Sequence, residues 1–182
     1  MDLNATVELA FPRERVFETY RDRLTELVPY LPAIKAIETR SRRDEGALST
    51  LHNVWQGGMD LPSVARAFIP SQATTWDDHA VWDQERYTCR WKTIPHALKE
   101  AVRAEGTNLF TVVSPVVTRV TITGVVEIDI ARVPGVPRLL AGTAKRTVEE
   151  VIVKNVQGNL LAFGRGVERY LQAAAGATVS GR

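Results

Sequence analysis

Residues 118–130, TRVTITGVVEIDI, alternate more cleanly than any other stretch of this chain. Val120, Ile122, Val126, Ile128 and Ile130 point one way, and Arg119, Thr121, Thr123, Glu127 and Asp129 the other. A period of two is incompatible with a helix and describes a strand with one dry and one wet face. Such strands belong to antiparallel sheets, and the dry face of a sheet must be covered by another layer. The rest of the chain therefore has to supply partner strands and one large cover.

Partner strands are readable. LNATVELAF places Leu3, Ala5, Val7 and Leu9 on one side. AIKAIETRSRR and ALSTLHNVW flank the turn signature DEG, and TTWDDHAVW and RYTCRWK flank DQE, so both pairs read as hairpins. In the second hairpin Trp76, Ala80 and Trp82 share a face, as do Tyr87, Cys89 and Trp91. Between the first strand and the first hairpin, Pro12 opens a helix whose apolar arc includes Val16, Phe17, Tyr20, Leu24 and Leu27, and Pro29 and Pro32 end it. After ARVPGVP the chain reads as helix to about Ala175. At 1.5 Å per residue this helix would extend roughly 45 Å, the only element large enough to cover the sheet. The expectation is an α+β chain in which a curved antiparallel sheet of six to seven strands wraps a long C-terminal helix. Residues 1–175 form a single domain in this reading, and 176–182 a flexible tail.

Bulk properties exclude several functions. A formal charge of +2 is too small for a nucleic-acid binder. Cys89 alone rules out a disulfide framework and a cysteine metal cluster. No apolar run approaches the ~18 residues of a membrane span, and the N-terminus lacks the pattern of a secretory signal. The resulting expectation is a cytoplasmic protein, with peripheral membrane contact left open. Phosphate loops, nucleophile elbows and HExxH zinc motifs are missing. His52, His79 and His96 fall on separate elements, and Asp77 and Asp78, as strand neighbours, cannot both reach one substrate atom. Both read as solvated charges, and no catalytic residue is assigned.

The element order resembles the START-like (helix-grip, SRPBCC) superfamily over nearly the whole chain. Within it, VWQGGMDLPSVARAFI and DDHAVWDQERYTCRWKTIP are similar to segments of the PRELI-like phospholipid-transfer proteins, and YRDRL resembles that family's aromatic–Arg opening. The spacing between Trp55 and Leu61 and the sequence LTELVPYLP depart from that family's pattern. The resemblance implies a closed apolar cavity between sheet and terminal helix, basic residues at its mouth, and a loop over the entrance at 56–70. It implies no metal or nucleotide cofactor. The expected partner is a hydrophobic small molecule, a phospholipid foremost. Polyketide aromatase/cyclase-type catalysis and a coenzyme-Q-binding or protein-interaction module remain as alternatives.

Candidate ligand residues follow. Arg21 and Arg23 flank the helical arc and suit a phosphate. Trp55 stands where a strand meets Gly57 and Gly58, while Leu61, Val64 and Phe68 make the following Gly/Pro-bounded segment unusually apolar. Trp76 and Trp91 either line a pocket or pack the sheet. In the terminal helix, Ile152, Asn159 and Phe163 fall within the apolar arc. There Gly164 and Gly166 read as thinning the margins of the buried face, and Gly158 as facing solvent.

Overall fold

A computed structural model describes residues 1–57, 74–129, 132 and 158–176. Seven antiparallel strands form one sheet: β1 (Asp2–Leu9), β2 (Ile34–Glu45), β3 (Leu48–Gly57), β4 (Thr75–Asp83), β5 (Thr88–Pro95), β6 (Val102–Ser114) and β7 (Val117–Ile128). Their order is β1-β7-β6-β5-β4-β3-β2, so β2 to β7 run as a meander and β1 closes onto β7. The predicted segment 118–130 is β7 as far as Ile128, with Val120, Ile122 and Val126 buried.

Between β1 and β2 lie α1 (Arg13–Asp22) and α2 (Leu24–Leu27). The sequence led us to expect one helix ending at the prolines, but it breaks at Arg23. The Thr19 hydroxyl donates to the Arg15 carbonyl at 2.7 Å, a back-bond of the kind that bends helices, and the Arg23 N–H closes α1 onto the Thr19 carbonyl. The apolar arc survives this break. Phe17 meets Trp82, Tyr87 and Phe110 edge-on with ring centroids 5.2–5.3 Å apart, and Tyr20 meets Phe110 and Phe163. This arrangement adds about 0.5–1.5 kcal/mol per pair to ordinary burial.

The terminal helix is described over residues 158–176, here α3. Val167 and Leu171 are buried in the same core as Leu9, Leu27 and Phe110. Gly164 and Gly166 set how closely it seats. A Cβ on Gly164 would lie 2.7 Å from a Val7 methyl, and one on Gly166 would lie 2.5 Å from a Leu31 methyl. Gly164 thus admits the sheet and Gly166 the segment after α2. Gly158 is exposed, and a Cβ there would meet nothing within 4 Å. Polar ties hold the far end: Arg169 donates to the Tyr30 carbonyl and the Tyr170 hydroxyl to Glu26. Among the described residues, no helix is long and apolar enough to cross a membrane.

Candidate functional site

The register decides which side chains meet. On β4, Trp76, Asp78, Ala80 and Trp82 share the concave face, because alternate residues on a strand point the same way. On β3 the matching set is Ser49, Leu51, Asn53 and Trp55, paired so that Trp55 faces Trp76 and Asn53 faces Asp78. On β5, Trp91 faces Ala80 and Thr93 faces Asp78. The Trp55 and Trp76 rings are near-parallel, with centroids 6.0 Å apart, and Phe163 from α3 lies 5.8 Å from Trp55. Trp91 lies across Gly106, where a Cβ would clash with its ring, and donates its indole N–H to Asn108 at 2.9 Å.

A polar row runs across this aromatic surface. The Thr39 hydroxyl donates to Asn53 Oδ1 at 2.9 Å, and the Asn53 amide donates to Asp78 Oδ2 at a long 3.3 Å. Asn53 is fully buried. Asp78 keeps a little accessible surface but is closely surrounded, and burial pushes its carboxyl up to about 6, partly opposed by the Asn53 amide. The buried Trp55 indole N–H faces the same carboxylate without completing a hydrogen bond. The reading of Asp78 as a solvated charge is therefore corrected. Its signal was present in TTWDDHAVW, where Asp78 has the parity of Trp76, Ala80 and Trp82.

Asp77 has the opposite fate. On the convex face its two oxygens are bonded by His52 Nε2 at 2.7 Å and His96 Nε2 at 2.9 Å, and His52 stacks on His79 with centroids 4.4 Å apart. Burial pushes the Asp77 carboxyl up, but the two imidazoles outweigh it and leave it below its ordinary value. All three histidines thus lie outside the concave surface. Among the described residues, no group of His, Cys, Asp and Glu is arranged to hold a metal ion.

The expected ligand residues divide. Trp55, Trp76, Trp91 and Phe163 gather around the polar row. Arg21 and Arg23 do not join them. Arg21 pairs with Asp22 and reaches Gln84 beyond the far end of β4, and Arg23 pairs with Glu26 in the open. Trp76 and Asp83 at the two ends of that strand are roughly 23 Å apart at strand spacing. Asn159, expected inside the apolar arc, is exposed. Gly166 on the same side is covered by Leu31 and Tyr30, but Asn159 comes roughly 10 Å earlier along the axis, past that cover. Leu61, Val64, Phe68 and Ile152 lie outside the described residues, as does most of the loop expected over the entrance. An open depression of about 410 Å³ at the far hairpin turns, among Gly46, Ala47, Gln84, Glu85 and Tyr87, involves none of these residues.

Neither a family model nor a curated protein sequence matches the chain. Solved structures do. A protein of Thermus thermophilus matches with TM-score 0.66 and 22% identity, over 96% of this chain and 99% of the other. The ZhuI aromatase/cyclase of a Streptomyces species matches with TM-score 0.63 and 16% identity, over 96% and 97%. Norcoclaurine synthase of Thalictrum flavum matches with TM-score 0.61 and 12% identity, over 94% and 86%. At these identities the likeness is one of fold, a helix-grip arrangement of curved sheet and terminal helix.

Proposed function

We propose that this chain binds a hydrophobic or amphipathic small molecule on the concave face of the sheet, beneath the terminal helix. The observation that carries this reading is the Thr39–Asn53–Asp78 row set among Trp55, Trp76 and Trp91. An ordinary core has no use for a raised carboxyl beside aromatic rings, because a buried polar group costs stability unless it is partnered. A ligand site uses a few such groups on an apolar wall to orient its occupant. Apolar parts of the ligand would gain roughly 0.8 kcal/mol per buried CH₂ against the indole rings.

The polar end of the ligand is better matched by a neutral hydroxyl or carbonyl than by a phosphate. Asp78 would repel an anion, and the arginines expected to receive one are paired elsewhere. Phospholipid carriage, the finer reading drawn from the PRELI-like segments, would need its headgroup held away from this row. Native mass spectrometry and organic extraction of the purified protein test the proposal, with liposome transfer testing the phospholipid version. A bound amphiphile lost in Asn53→Leu supports the site. No co-purifying molecule and no uptake of added amphiphiles would sink it.

Asp78 favours a second reading, an enzyme. A carboxyl near pH 6 exchanges protons readily at neutral pH, which suits general acid–base chemistry on a bound carbonyl compound. The fold shared with an aromatase/cyclase and with norcoclaurine synthase is compatible with it. The outward histidines remove the histidine-based form of this idea, leaving Asp78 as the group to test.

A further inference from the structure

Most buried donors in a folded protein have acceptors, so those that lack one call for an explanation. Among the described residues, three such donors lie in this interior: the Tyr20 hydroxyl, the Trp82 indole N–H and the Trp55 indole N–H. Tyr20 is 3% exposed and Trp82 5%. They form one connected region. Phe110 touches both Tyr20 and Trp82, with centroids at 5.2 and 6.1 Å, and Phe163 touches both Tyr20 and Trp55, at 5.0 and 5.8 Å. They also come from three separate elements, α1, β4 and β3, so no local turn accounts for them together. Among the described residues this interior has few free acceptors: the Asn53 amide oxygen is taken by Thr39 and the Asn108 oxygen by Trp91. The Asp78 carboxylate, which faces the Trp55 N–H, completes no hydrogen bond with it and lies at the other end of the row from Tyr20 and Trp82.

We infer that the occupant of this interior is an oxygenated hydrophobe whose acceptor oxygens, of carbonyl or ether type, answer Tyr20 and Trp82 at one end and Trp55 at the other. This deepens the binding reading above and rests on it. A saturated acyl chain has no such oxygens along its length and would leave all three donors unmet. A site built around unmet donors discriminates strongly, because an analogue without the acceptor leaves them desolvated and unpaired.

The experiment compares 9,10-anthraquinone with anthracene, which share a ring system and differ by two carbonyl oxygens. Each is titrated into the full chain with tryptophan fluorescence as readout, in the natural protein and in Tyr20→Phe and Trp82→Phe. We expect the quinone to bind at least about 10-fold more tightly than the hydrocarbon. Tyr20→Phe should cut that preference to within about 3-fold while leaving anthracene binding unchanged. The same variant should raise the melting temperature of the unliganded protein by about 2–4 °C, since it deletes a buried hydroxyl that has no partner. Trp82→Phe should repeat the loss of preference and guards against a folding artefact in the first variant. Equal affinity for the two compounds, or full preference retained in both variants, overturns the inference while leaving the binding reading standing. Failure of both compounds to bind also overturns it, and the extraction experiment then judges the binding reading alone.

Discussion

Asp77 and Asp78 are adjacent, chemically identical, and live on opposite faces of the same strand. Outside, Asp77 is held by two imidazoles at hydrogen-bond distance and its carboxyl ionises more readily than usual. Inside, Asp78 accepts a long amide bond from Asn53 within an aromatic surround, and burial raises its carboxyl to about 6. One step along the backbone reverses the sign of the shift. What separates them is the layer each enters: a wet face where two imidazoles bond both carboxylate oxygens, or a dry face with one amide and aromatic rings. The convex face thereby tolerates charge, and the concave face makes each polar group specific.

The sharpest way to break this contrast is at another adjacent pair. Phe110 is 1% exposed on the inner face and Leu109 41% exposed on the outer. Phe110→Ala should cost about 3–5 kcal/mol in denaturant unfolding, and Leu109→Ala under about 1. Similar costs would end the distinction between the faces.

Next in size is Asp78→Asn. A carboxyl raised from 3.8 to about 6 holds its proton more tightly in the folded state. Its favourable contribution is therefore complete below about pH 4 and lost as pH climbs through 6. The substitution should stabilise the protein by about 3 kcal/mol at pH 8, from about two units at 1.4 kcal/mol each, with the gain shrinking as pH falls through 6 and gone below about pH 4. A gain independent of pH would mean that Asp78 is not the titrating group.

Asn53→Ala comes third. It strips the Thr39 hydroxyl of its acceptor and Asp78 of its donor, at a cost of about 1–3 kcal/mol, and should push the Asp78 midpoint higher in a carboxyl-resolved NMR titration. The smallest effect belongs to Asp77→Asn. A carboxyl below its ordinary value contributes stability that is present above 3.8 and lost as pH falls through the lower folded value. On this half-exposed face the loss should stay under about 1 kcal/mol and shrink further in high salt. A larger, salt-insensitive loss would make the histidine cluster structural.

Strand parity made most of the architecture legible. The alternations in 3–9, 76–82 and 120–128 name the inner face correctly, and the demand for a cover pointed to the terminal helix. The site was only partly legible. Tryptophans stand out by size and their parity can be counted, so Trp55, Trp76 and Trp91 were found. The same count applies to Asp78, but a charged pair on a strand is ordinarily solvated, so parity alone does not single it out. Thr39 and Asn53 could not be tied to it from sequence, since their meeting depends on the register of β2, β3 and β4. Arg21 and Arg23 misled for a related reason: helix position alone does not reveal that Asp22 and Glu26 would claim them. Asn159 lay on the expected side of its helix but beyond the reach of the segment that covers that side.

The strand order has a consequence for how the chain assembles. From β2 to β7 every strand pairs with its sequence neighbour, so each step closes a local loop, the longest running from Gln56 to Thr75. Strand β1 is the exception, since Leu9 pairs with Thr118 and Asp2 with Val125, and the terminal ammonium bonds the Val126 carbonyl at 2.8 Å. Closing a loop on the order of a hundred residues carries the largest entropy cost of any pairing in the sheet. The meander can zip progressively while β1 waits for both β7 and the helix that Gly164 seats against Val7. Strand β1 is thus the last clasp of the sheet, an edge strand left unpaired while the meander it closes takes shape.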